Sequence, residues 1–124
     1  MKIIIAIVLA FCIGQAAAQD CRTAFGGVYT FAHTGIKPNG TYFSALAKFT
    51  FQQDGTFAVN AVINGRGAAP YSLNITSDWW WSDACAINVD RPGFIGLVSD
   101  DGRFISLATF DDEQMAGVAI RDTP

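Results

Sequence analysis

Asp54-Gly55 separates two alternating runs, and no other feature of the sequence restricts the fold as strongly. From Thr41 to Gln53 the odd positions hold Thr41, Phe43, Ala45, Ala47, Phe49, Phe51 and Gln53, and the even ones Tyr42, Ser44, Leu46, Lys48, Thr50 and Gln52. A period of two sends successive side chains to opposite faces, so this segment reads as a strand with one buried side. After Asp54-Gly55 the pattern resumes, with Phe57, Val59, Ala61 and Ile63 on one face and Thr56, Ala58, Asn60 and Val62 on the other. Asp-Gly accepts φ > 0 at both centres of a type I′ turn, which predicts a tight hairpin lined by Phe49, Phe51, Phe57 and Val59.

A second Asp-Gly segment repeats the arrangement. Phe94 to Ser99 runs into Asp100-Asp101-Gly102 and returns as Arg103 to Phe110, so Asp-Gly-x-Phe occurs at Asp54–Phe57 and at Asp101–Phe104. The flanks do not align well enough for a duplication. Asp90-Arg91-Pro92-Gly93 marks another turn. Further strands are expected at Val28–His33, Tyr71–Ser77, Ala84–Val89 and Met115–Arg121, which makes about eight in all, with no amphipathic helix. Strands without a covering helix must hide an apolar face and two sheet edges. A closed barrel or a two-layer sandwich does so, and an open sheet does not. Sequential hairpins with short turns favour an all-β, antiparallel, eight-stranded up-and-down β-barrel, with the two-layer β-sandwich as the alternative. Such a barrel is either filled by its side chains or wide enough for one small ligand.

Residues 1–18 have the layout of a secretory signal peptide. Lys2 precedes an uncharged run from Ile3 to Ile13, and Gly14 to Ala18 place Ala16 and Ala18 at the −3 and −1 positions of a cleavage site. The run is too short to cross about 30 Å of hydrocarbon, and no stable membrane insertion is expected once it is removed. A lipoprotein anchor is disfavoured by bulky Phe11 before Cys12. The domain then spans 19–124, or 124 − 18 = 106 residues, with a charge of 7 − 11 = −4. Secreted or periplasmic placement leaves Cys21 and Cys85 as a pair in an oxidising compartment, 85 − 21 = 64 residues apart. A disulfide closing a loop of that length stabilises by about 4 kcal/mol.

Composition removes whole classes of function. Hydrophobic residues make up 51% and charged residues 15%, which excludes a disordered tail or a coiled coil. A net charge of −3 argues against a nucleic-acid partner, which needs a basic face. His33 is the only histidine and the sequence names no partner for it as a general base, so a strand-end or surface position is the simpler reading. Asp111-Asp112-Glu113 reads as a solvated loop, and Asp100-Asp101-Gly102 lacks the ligand alternation of a calcium loop. Gly65-Arg66-Gly67 lacks the strand-to-helix context of a phosphate loop. No metal, cofactor or catalytic residue is expected.

Trp79-Trp80-Trp81 is the most unusual segment. On a strand, Trp79 and Trp81 share one face and Trp80 takes the other. The rings could stack on a sugar, line an apolar pocket, or plug the end of a barrel. Tyr29, Tyr42 and Tyr71 add polar aromatic tips, and Asn39-Gly40-Thr41 and Asn74-Ile75-Thr76 are glycosylation sequons in a eukaryotic host.

Gly27-Val28-Tyr29-Thr30-Phe31 opening the first strand, with Arg121 on the last, resembles the calycin plan of lipocalins and avidins. The resemblance implies that Tyr29 stands where those families carry a Trp, packed against Arg121. The chain is also similar to small secreted bacterial domains with a Gly-x-Tyr-x-Phe start, a central Asp-Gly-x-Phe hairpin and a later Asp-x-Cys, here Asp83-Ala84-Cys85. Together these readings describe a secreted, non-catalytic binding module for a small apolar or aromatic ligand, with Tyr29, His33, Trp79, Trp80 and Trp81 as the ligand-binding candidates. The alternatives are a carbohydrate-binding surface on Trp79–Trp81, an isomerase of the allene-oxide-cyclase barrel type, and a structural envelope protein. A deep polar group would favour the enzyme, exposed coplanar Trp rings the sugar, and a filled interior the structural role.

Overall fold

The computed structural model describes residues 20–36, 40, 42–65, 69–109 and 116–122. The expected signal segment and cleavage site, Cys12, Asp111–Glu113, Arg66 and most of the Asn39 sequon lie outside them. The described chain forms eight strands: β1 Gly27–Ile36, β2 Tyr42–Phe51, β3 Thr56–Gly65, β4 Tyr71–Asp83, β5 Ala86–Val89, β6 Phe94–Val98, β7 Phe104–Thr109 and β8 Ala116–Arg121. Each pairs antiparallel with its neighbour in sequence, and β8 returns to β1, closing an up-and-down barrel in the order β1 to β8. The alternation read from Thr41 to Ile63 is the register of β2 on β3, with Phe49 opposite Val59 and Phe51 opposite Phe57.

Two local expectations need correction. The first is the turn type. Only Gly55, at φ +92°, is left-handed; no described non-glycine residue has a positive φ, so Asp54 is not the first centre of a type I′ turn. Instead Gly55 N–H donates to Gln52 O (3.1 Å) and Gln52 N–H to Thr56 O (2.9 Å), closing a four-residue loop with the left-handed glycine last. The cause is the Asp54 carboxylate, which accepts Thr56 N–H at 2.9 Å and holds its own residue at negative φ. Asp101-Gly102 repeats the device: Asp101 accepts Arg103 N–H at 3.1 Å, and Gly102 takes φ +71°. The second correction is β4. It runs on through Trp79–Trp81 to Asp83, because Trp79, Trp80 and Trp81 pair with Val89, Asn88 and Ile87. A bulge between Trp81 and Asp83 then leaves Ala84 and Cys85 as a turn, so β5 starts two residues later than the sequence suggests.

Aromatic rings fill one end of the barrel. Phe25 packs on Phe51 (4.9 Å), Trp79 (5.0 Å) and Trp81 (5.2 Å), and Phe57 joins Phe51 (5.0 Å) to Phe94 (5.7 Å). Burying each such ring is worth roughly 1.5–3 kcal/mol, and tilted or edge-on contact adds to that. A single helical turn over residues 20–24 caps this end. Cys21 is bonded to Cys85 there, as expected. Arg22 donates to Ala84 O (2.8 Å) and Asp83 O (3.0 Å), with its guanidinium 5.1 Å from the Trp81 ring centre.

The wall is uneven. Strands β1 to β4 have 10, 10, 10 and 13 residues, whereas β5 to β8 have 4, 5, 6 and 6. β4 pairs with β5 only from Trp79 to Asp83, and β1 with β8 only from Tyr29 to Phe31. The inner face of β1–β4 therefore rises about 10 Å above the low rim, given roughly 3.3 Å per residue and tilted strands. The barrel is a cup with one tall side.

Candidate functional site

The tall side is where inward-facing residues stop being fully enclosed. In register across it lie His33, Ala45, Ile63 and Tyr71, and one row below them Phe31, Ala47, Ala61 and Leu73. Leu73, Ile75 and His33 are half-buried although they point inward, and the small side chains of Ala45, Ala47 and Ala61 lie buried beside them. In the upper rows small residues face large ones, with Ala45 between His33 and Ile63 and Ala47 beside Phe31, whereas lower down Tyr29, Phe49, Phe51 and Phe57 face one another.

His33 is the polar element of this surface. Its ring stacks on Phe31 at 5.6 Å and 10°, and meets Phe43 at 6.1 Å and 58°. Gly35 and Gly117 flank it, and neither has space for a side chain. A Cβ on Gly35 would come within 2.8 Å of the Phe43 ring and 2.9 Å of His33 Nε2; one on Gly117 would lie 2.8 Å from Phe31. His33 Nε2 is buried and has no hydrogen-bond partner. The expected strand-end or surface position is therefore corrected: His33 is inside the barrel wall, because its odd position on β1 shares the face of Tyr29 and Phe31.

The other candidates sit elsewhere. Tyr29 is fully buried near the capped end, where its hydroxyl donates to Gly102 O at 2.5 Å. Burial pushes its phenol above the usual range, while the Gly26 N–H and the Arg121 guanidinium pull the other way. Arg121 is its register partner across the β1–β8 seam and donates to Ala24 O at 2.6 Å, tying the cap to the last strand. Trp79 is 6% exposed and its Nε1 donates to Gln52 O at 2.8 Å. Trp79 and Trp81 meet edge-on at 78°, so they plug the capped end and present no coplanar platform for a sugar ring. Trp80 faces outward alone, as the alternation predicts, and is half-exposed. The structure thus separates His33 from the tryptophans by placing them toward opposite ends of the barrel.

Sequence reasoning passed over Phe43, Gly35 and Gly117 as site residues. Gly35 and Gly117 carried a signal, since each interrupts an otherwise regular strand two residues from an inward aromatic or small residue. Among the described residues no group of three or more His, Cys, Asp or Glu side chains could hold a metal ion. A shallow groove of about 630 Å³ crosses the outer face of β1–β3 over Ala32, Leu46 and Val62. His33 is the one ring in its lining, and no Lys, Arg, Asp or Glu lines it. No protein-family model, curated protein or solved structure matches the chain.

Proposed function

We propose that this chain is an exported, non-catalytic binding module whose open half holds a small apolar or aromatic ligand against the tall wall, with His33 supplying one polar contact. The observation that carries the reading is His33 Nε2, buried without a partner on a surface of rings and small side chains. An unpaired buried nitrogen costs about 1–3 kcal/mol, so a native structure that keeps one has a use for it. A ligand hydroxyl seated against the wall would remove that cost. Among the described residues the groups packed on His33 are Phe31, Phe43 and glycine backbone, apolar surroundings that suit the seating of a ligand ring. The Tyr29–Arg121 pairing is the arrangement that a calycin-like plan implies, and it supports the same class of function.

Export is the second half of the proposal. The Cys21–Cys85 disulfide supports an oxidising compartment, and no helix among the described residues is long and apolar enough to cross a membrane. Mass spectrometry of exported protein should find Gln19 as the first residue; retention of residues 1–18 would end that part of the reading.

Because His33 is the only histidine, its imidazole signals in NMR are assigned without ambiguity. Titration with p-cresol and toluene should move them saturably, with p-cresol bound more tightly by about fivefold or more, the worth of one hydrogen bond. Unmoved imidazole signals at the solubility limit of both probes would sink the proposal.

A further inference from the structure

The outer surface is not uniform. On β2, β3 and β4 the exposed apolar side chains Leu46, Val62 and Trp80 stand among outward Lys48, Asn60, Asn64, Asn74 and Asp78, the polar dressing of a solvated sheet face. On β6, β7 and β8 that dressing is missing. Ile95, Leu97, Phe104, Val118 and Ile120 face outward and are 37–62% exposed. The remaining outward positions of these strands are Ser106 and alanines. Leu97 and Val118 both lie opposite Ser106, and Phe104 lies opposite Ile120, so the five side chains form one patch around a serine. Read as sequence, Phe94–Val98 and Ala116–Ile120 are near-continuous apolar runs, the signature of strands covered on both faces.

We infer that this face is covered by the same face of a second copy, in an isologous dimer. Three features select that occupant. The five apolar side chains, Ser106 and the alanines carry no charge and Arg103 stands only at the edge beside Phe104, so self-pairing places no like charges at the centre, although the chain as a whole is acidic. The patch is the outer side of adjacent antiparallel strands, the kind of surface that packs sheet on sheet at about 10 Å. The five exposed side chains offer roughly 500 Å² per copy, hence about 1,000 Å² in the pair, the lower bound for a specific interface. An anionic membrane would instead need a ring of cations. Arg103 beside Phe104, its guanidinium 5.9 Å from the ring, is the one cation placed there among the described residues. Small size and an apolar centre together predict a reversible dimer in the micromolar range.

Sedimentation velocity on residues 19–124, which contain the whole described barrel, tests this across about 1–200 µM. The expected result is a monomer–dimer equilibrium that Leu97→Lys and Ile120→Lys each weaken at least about tenfold. Leu46→Lys, an equally exposed change on the outer face of β2, should leave it unaltered. Circular dichroism of each variant checks that the barrel is intact; if the Lys variants unfold, Leu97→Gln and Ile120→Gln take their place. A wild-type protein that stays monomeric throughout overturns the inference, as does equal weakening by Leu46→Lys. Monomers that co-sediment with phosphatidylcholine vesicles through Leu97 and Ile120 would overturn it in favour of a lipid surface.

Discussion

Tyr29→Phe removes a single oxygen from the capped end of the barrel, and its cost can be worked from the contacts of that oxygen. The ring is fully buried and keeps its packing on Phe25 and Phe51, both 5.7 Å away, so the packing loss is small. What disappears is the hydroxyl that donates to Gly102 O at 2.5 Å and accepts the longer bond from Gly26 N–H at 3.4 Å. Gly102 is buried beneath the cap, and its carbonyl would be left without that donor. Removing one partner of a buried pair costs about 1–3 kcal/mol. For a domain of this size each kcal/mol moves the melting temperature by roughly 4–8 °C. Thermal melts followed by circular dichroism at pH 7 should therefore show a clear drop. The pH dependence gives a second readout. Burial raises the Tyr29 pKa above 10.0, so the folded state holds the proton more tightly than the unfolded chain. Its contribution is fully present below pH 10 and is lost as pH rises through the raised value. The wild type should weaken over that range more steeply than Tyr29→Phe. An unchanged melting temperature at pH 7, or identical slopes above pH 10 in the two proteins, would refute the reasoning.

Reducing Cys21–Cys85, which closes 64 residues, should destabilise the domain by up to about 4 kcal/mol, visible as a lower melting temperature in reductant. Gly117→Ala would push a methyl within 2.8 Å of the Phe31 ring, and urea denaturation should register a loss of about 1–3 kcal/mol. Lys48 and Thr30 hold the Asp122 carboxyl below its usual range, so the stability it lends is present above pH 3.8 and fades as pH falls through the lowered value. Asp122→Asn should flatten the acid limb of a pH-stability curve, and a curve superimposable on wild type would exclude the Lys48–Asp122 contact as a contributor.

The barrel was legible because its strands are local. Period-two alternation in β2 and β3 sets their register directly, and the two Asp-Gly pairs mark the hairpins that join β2 to β3 and β6 to β7. The pairing of Cys21 with Cys85 was legible for a different reason, since the expected removal of residues 1–18 would leave only those two thiols. The turn geometry was not, because the same dipeptide serves two loops and a side-chain bond from Asp54 to Thr56 decides between them. His33 was misplaced for a related reason. Parity alone gives its face, but whether that face is enclosed depends on where β8 stops pairing with β1, a contact some ninety residues away in the chain. The function of the tryptophans turned on another distant partner, Phe25, whose ring packs on both Trp79 and Trp81.

The β1–β8 seam has a consequence for how the molecule breathes. Seven of the eight strand pairings join neighbours in sequence; the eighth, three register pairs long, joins the two ends of the chain. Closing a loop that long costs conformational entropy that a short hairpin does not incur. Few ladder bonds offset it, so the seam is reinforced by side chains, with Thr30, Lys48 and Asp122 bonding one another, and by one more backbone bond, from Asp122 N–H to Val28 O at 2.8 Å. Local opening should begin there and leave the long β2–β3 hairpin standing. In native-state hydrogen exchange, the amides of β8 would trade their protons first and those of Ala47, Phe49 and Phe51 last. The ring that looks continuous in space would behave, in time, as a strip with a clasp.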